Sequence, residues 1–139
     1  MSIHGVGIDV VDVARISRLL CSSNRFSRHW FTADEISKCG AATHPEVAFA
    51  ERLAAKEAVW KALRLDGWPG FVPWHLIAIG HDGVRARVEL AGEVAERAAG
   101  AGVGMIHVEW LVVDSMAMAV ALAELASPGL SCPAEVRSW

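Results

Sequence analysis

Residues Phe49–Leu63 read F-A-E-R-L-A-A-K-E-A-V-W-K-A-L, a run of strong helix formers with neither glycine nor proline. Val47, Ala50, Leu53, Ala54 and Ala58 recur at three- and four-residue steps. That is the apolar stripe of a helix with a buried face, and it commits the chain to packing a core around this segment. His44-Pro45 stands just ahead, so proline falls in the first turn, where a missing N–H is harmless. Four charged residues interrupt the stripe: Arg52, Lys56, Glu57 and Lys61. At roughly 100° per residue, Glu57 and Lys61 share one face, and Arg52 and Lys56 share an adjacent one. One carboxylate ringed by three cations can hold a metal ion and the phosphates around it. The plainer alternative for Glu57 is an i,i+4 pair with Lys61, worth roughly a few tenths of a kcal/mol.

The rest of the chain supplies partners for that helix. Ile3–Val11 alternates like a strand, and Gly5 and Gly7 suggest close approach of another backbone. Asp9 stands at the end of this strand, either as a functional carboxylate or as the N-cap of the segment that follows. Asp12–Leu20 reads as a short amphipathic helix with Val13, Ile16, Leu19 and Leu20 inward. Thr32-Ala-Asp-Glu35 is a capping box, so a short helix follows and frays near Gly40. Residues 66–73 are a loop rich in breakers. Residues 75–80 and 84–90 are expected to form a hairpin about His81-Asp82-Gly83. Ala91–Ala99 reads as a helix ended by Gly100, Gly102 and Gly104. Met105–Val113 and Met116–Leu125 are expected to be antiparallel strands about Asp114-Ser115. Residues 1–126 then form one domain, and 127–139 a loose tail.

The charge balance narrows the function classes. The chain has 139 residues, is 53% hydrophobic and carries a net charge of -3, so a globular protein is expected and a general nucleic-acid binder is not. No apolar run reaches the roughly 18 residues that span a bilayer, so no membrane partner is expected. The N-terminus lacks a basic region followed by an apolar one, the mark of a signal peptide. Cys21, Cys39 and Cys132 show no metal-ligand spacing and read as free thiols of a cytoplasmic protein. One window departs from the acidic whole. Between Val13 and Ala33 there is no acid, and Arg15, Arg18, Arg25 and Arg28 fall there. This is either a solvated face or a dock for an acidic partner.

Two segments carry a family likeness. G-V-G-I-D-V-V-D-V-A-R-I (5–16) and the helix 49–63 resemble the two signature motifs of 4′-phosphopantetheinyl transferases, closest to the short holo-[acyl-carrier-protein] synthase type. F-T-A-D-E (31–35) resembles that family's F-T-x-x-E segment, and His107-Val108 the start of its penultimate strand. The resemblance implies an α/β (α+β) fold, a small antiparallel sheet with a long central helix, assembled as a homotrimer with coenzyme A between subunits. It implies that Asp9 and Glu57 hold Mg²⁺ against the pyrophosphate. Arg52, Lys56 and Lys61 would meet the phosphates, and His107 the nucleotide end. It places Arg15 against an acyl carrier protein, and the patch of Arg15, Arg18, Arg25 and Arg28 suits such a dock, since carrier proteins present an acidic helix. The implied reaction moves phosphopantetheine from coenzyme A to a carrier serine, with Lys61 neutralising charge and Glu57 or a metal-bound water as base. A carrier of secondary metabolism is one candidate acceptor.

Some positions depart from the family pattern. After His107-Val108 the family reads S-x-S/T-H, often followed by an acid, whereas this chain has Glu109, Trp110, Leu111, Val112 and Val113. Trp60 stands where a small or polar residue is common, and Arg64 where the family has glycine. An indole or guanidinium in the cleft would suit a homologue that keeps the fold and carrier docking but has lost the transfer. Arg64 would either block a phosphate or supply a cation to it.

Overall fold

The computed structural model describes residues 1–128 together with the backbone of 137–138. Its strands are β1 (Ile3–Asp12), β2 (Ile77–His81), β3 (Ala86–Leu90), β4 (Val103–Val113), β5 (Met116–Leu125) and β6 (Arg137–Ser138). Its helices are α1 (Val13–Ser22), α2 (Asn24–Trp30), α3 (Ala33–Gly40), α4 (Pro45–Leu63) and α5 (Gly92–Gly100). This is the expected α+β arrangement, a small sheet with one long helix. The main sheet runs β1-β5-β4-β6, antiparallel but for the short β4–β6 pair, and β2-β3 form a separate hairpin. Most of the segment expected to be a loose tail, 129–136 and 139, lies outside the described residues.

Small residues set the geometry. Ala117, Ala119, Ala121 and Ala123 on β5 are all buried, and so are Ala50, Ala54, Ala55, Ala58 and Ala62 of α4. On a strand, alternate residues share a face, so the β5 alanines make one smooth track. α4 lies on that face of β1, β5 and β4. The helix is enclosed on more sides than a single apolar stripe implies. Lys56, Val59 and Leu63 are buried as well as Ala50, Leu53, Ala54 and Ala58, because α3 and the β2-β3 hairpin cover its other flank.

Several boundaries differ from the sequence reading. β1 continues to Asp12, whose Oδ1 accepts from Ala14 N at 2.9 Å and caps α1. Asp9 is therefore not a cap and stays inside the strand. α2 was not anticipated: only seven residues long, it starts from Ser23, whose hydroxyl accepts from Arg25 N. Residues 74–76 make a 3-10 turn before β2 begins. The capping box forms as expected, with Thr32 and Glu35 exchanging backbone bonds at 2.8 and 3.2 Å.

The sheet face away from α4 is open and apolar. Val6, Ile8, Val10, Leu111, Val113, Met118 and Val120 are exposed there, Ile8 to 60%. Among the described residues, no helix is long and apolar enough to cross a membrane.

Candidate active site

Two glycines decide how near α4 comes to β1. A Cβ on Gly7 would collide with the carbonyl oxygen of Ala58, and one on Gly5 with that of Ala62. Only glycine permits this approach. Residues 5, 7 and 9 share the strand face toward the helix, so Asp9 is delivered to the next turn of α4, where Glu57 waits. The two acids meet side chain to side chain. Burial, and then the charge and hydrogen bond of Asp9, push the Glu57 carboxyl up to about 7, while Lys61 and Arg15 pull the other way. Lys61 Nζ donates to Asp9 Oδ1 at 2.8 Å and to the Ile8 carbonyl at 2.9 Å. It pairs across to the strand instead of along the helix with Glu57.

Beside these groups lies a cavity of about 310 Å³. Asp9, Asp12, Arg15 and Glu57 line its polar side, and Ile16, Leu19, Phe26, Trp30 and Leu53 its apolar side. Asp12 and the aromatic wall of Phe26 and Trp30 were not singled out from sequence. The α2 helix that carries the wall has no apolar period long enough to be read. Arg15, Arg18, Arg25 and Arg28 are exposed on α1 and α2, and none has an ion-pair partner among the described residues. Arg15 joins this basic surface to the cavity.

The residues that depart from the family pattern do not fill the cavity. Trp60 packs against Trp68 and Trp74, at 5.4 and 5.7 Å between ring centroids. Arg64 is exposed at the C-cap of α4. Leu111 and Val113 point to the open sheet face.

Three expected phosphate or nucleotide contacts stand elsewhere. Lys56 is fully buried, and its ammonium bonds Glu35 Oε2 at 2.7 Å and the Trp74 carbonyl at 3.0 Å. Burial lowers its pKa, against the pull of Glu35. It ties α4 to α3 and to the turn before β2, so it does not reach the cleft. Glu35 was legible as a helix cap, but its buried ion pair with Lys56 was not. Arg52 lies over the Trp110 ring, 4.8 Å from its centroid, on the β4 flank of the helix. His107 shares a 3.2 Å contact with Glu124 and alternates with the inward Ile106 and Val108, so it belongs to the open sheet face. Within one chain, Asp9, Glu57, Lys61 and Arg15 come together, and Lys56, Arg52 and His107 do not join them.

The acid pair suits a hard divalent cation. Burial first, and then the neighbouring Asp9, disfavours charge on Glu57, and a dication would relieve both effects. Two protein oxygens are the number that Mg²⁺ commonly takes, with water and substrate phosphate completing its shell.

Comparison with known proteins follows the same lines. The sequence model of the 4′-phosphopantetheinyl transferase superfamily matches residues 5–118. A holo-[acyl-carrier-protein] synthase of Beutenbergia cavernae is 39% identical over 123 residues, covering 88% of this chain and 98% of the relative. The crystal structure of holo-[acyl-carrier-protein] synthase from Neisseria meningitidis superposes with a TM-score of 0.78 at 28% identity, covering 88% of this chain and 98% of that one. The Helicobacter pylori synthase in complex with coenzyme A shares the fold, with a TM-score of 0.70 at 22% identity over 86% of this chain and 99% of that one.

Proposed function

The chain belongs to the 4′-phosphopantetheinyl transferase superfamily, and we propose that its Asp9–Glu57 cleft transfers phosphopantetheine from coenzyme A to a serine of an acyl carrier protein. The observation that carries this reading is the convergence of Asp9, Glu57, Lys61 and Arg15 at one cavity. Asp9 and Glu57 would hold Mg²⁺, which when bound neutralises charge on the pyrophosphate. The serine oxygen forms a bond to the β-phosphorus, and the bond from that phosphorus to the bridging oxygen breaks. Adenosine 3′,5′-bisphosphate leaves. Glu57, on the polar side of the cavity, is the carboxylate placed to take the serine proton. The Lys61 ammonium stands beside Asp9 to meet charge on the phosphates.

The partners follow from the surfaces. Arg15, Arg18, Arg25 and Arg28 present exposed cations on α1 and α2, with Arg15 at the cavity, which fits an acidic carrier. Seven exposed apolar residues gathered on one sheet face mark an interaction surface, and this supports a homotrimer. His107 lies on that face, so it would serve the nucleotide end of coenzyme A bound by a neighbouring copy. Cys21 and Cys39 carry free thiols, which suits a cytoplasmic protein.

The test is direct. The protein, coenzyme A and Mg²⁺ are incubated with a panel of apo carrier proteins, including those of secondary metabolism. The carrier mass should rise by one phosphopantetheine. Carriers that all keep their apo mass, beside a control synthase that modifies them, would overturn the assignment.

A further inference from the structure

Arg64 is the C-cap of α4, and its backbone is left-handed, with φ 55° and ψ 46°. A side chain there costs roughly 1–2 kcal/mol relative to an ordinary helical conformation, which glycine would avoid. Strained backbone of this kind clusters at ligand clamps and active sites. Glu57 and Lys61 are i,i+4 neighbours on one face of α4, and Arg64 continues their row at the C-cap. The row runs above β1. Gly5 lies beneath Arg64, whose Cγ would be 3.0 Å from a Cβ placed on that glycine. The guanidinium is exposed and has no ion-pair partner among the described residues.

The row also has a direction. From Glu57 the cavity extends toward Leu53 and Trp30, on the N-terminal side of α4. Lys61 and Arg64 lead the opposite way. A substrate with one apolar arm and one highly charged nucleotide end matches that polarity only with the nucleotide toward Arg64. We propose that Arg64 is a specificity-determining residue that binds the ribose 3′-phosphate of the nucleotide, an inference that rests on coenzyme A being the substrate of this cleft. Arginine suits a terminal phosphate because its planar fork donates two parallel N–H bonds.

Calorimetric titration with adenosine 3′,5′-bisphosphate and with adenosine 5′-monophosphate tests this without requiring transfer. Thermal unfolding first confirms that each variant is folded. Wild type should bind the bisphosphate more tightly. Arg64→Gly should weaken bisphosphate binding by about tenfold or more and leave the monophosphate unchanged. Arg64→Lys should recover part of the loss, because the charge returns without the fork. Wild-type affinity for the bisphosphate in Arg64→Gly would overturn the proposal, and so would equal losses for both nucleotides. A wild-type protein that prefers the bisphosphate but modifies no carrier leaves this inference standing while the transferase reading falls. Binding of neither nucleotide overturns both.

Discussion

Lys56 offers the sharpest check on how charges are divided between core and cleft. Replacing it with methionine keeps most of the stem volume and removes the ammonium. Glu35, only 3% exposed, then keeps two of its three donors, Thr32 N at 2.8 Å and Ile79 N at 2.7 Å. Removing one partner of a buried pair costs about 3–5 kcal/mol, and the two surviving bonds put Lys56→Met at the lower end, about 3 kcal/mol. The reverse perturbation is worse. Glu35→Leu strands the buried ammonium at a similar cost and also orphans two backbone N–H groups, at about 1–3 kcal/mol each. The total, about 5–11 kcal/mol, rivals the whole stability of a typical domain. Urea unfolding followed by circular dichroism should therefore rank wild type above Lys56→Met, with Glu35→Leu partly or wholly unfolded. Lys56→Met, being folded, should still bind coenzyme A in calorimetry, because the ammonium does not face the cleft. A Lys56→Met protein within about 1 kcal/mol of wild-type stability that has lost coenzyme A binding would refute this reasoning. It would return Lys56 to the phosphates.

The other predictions concern the cleft and its frame. The Glu57 pKa is raised by folding, so the folded state holds that proton more tightly than the unfolded chain, and stability from this group falls as pH rises from about 4.5 to about 7. Glu57→Gln should flatten the thermal stability profile across that window, and Mg²⁺ should raise the wild-type Tm at pH 8 but not that of the variant. Gly7→Ala drives a methyl into the Ala58 carbonyl and should cost about 3 kcal/mol, the upper range for overpacking, while parting Asp9 from Glu57 and abolishing transfer. Reversing Arg15 and Arg18 to glutamate should raise KM for the carrier far more than for coenzyme A; equal rises would count against the basic dock. Arg64→Gly should raise stability in urea by about 0.5–1 kcal/mol, since glycine accepts the left-handed backbone at a smaller chain-entropy cost than the strain it relieves.

Much of the frame is local and could be read from residue order. The run 49–63 is a helix because strong helix formers fill nearly all of it without a glycine or proline, and Thr32 with Glu35 marks a helix start because the box closes within one turn. The alternation of β1 was plain because side chains on a strand repeat every second residue. Misplaced features involve competition between nearby options. Asp9 and Asp12 are both able to cap α1, and only the length of β1 shows that Asp12 does. The resemblance named Asp9, Glu57 and Lys61 together, and the fold brings them together. It also named Lys56, which the fold turns inward.

Helical periodicity fixes the angles between charges on α4 but not which of them faces water. That choice was made by Glu35 waiting in the core for Lys56, by Trp110 lying under Arg52, and by Asp9 reaching Lys61 from the strand. Sequence alone determined the longer helices, because their bonds close within a few residues. Tertiary structure alone decided which charged groups became neighbours, because that depended on how closely the bare backbone at Gly5 and Gly7 let one element settle on another.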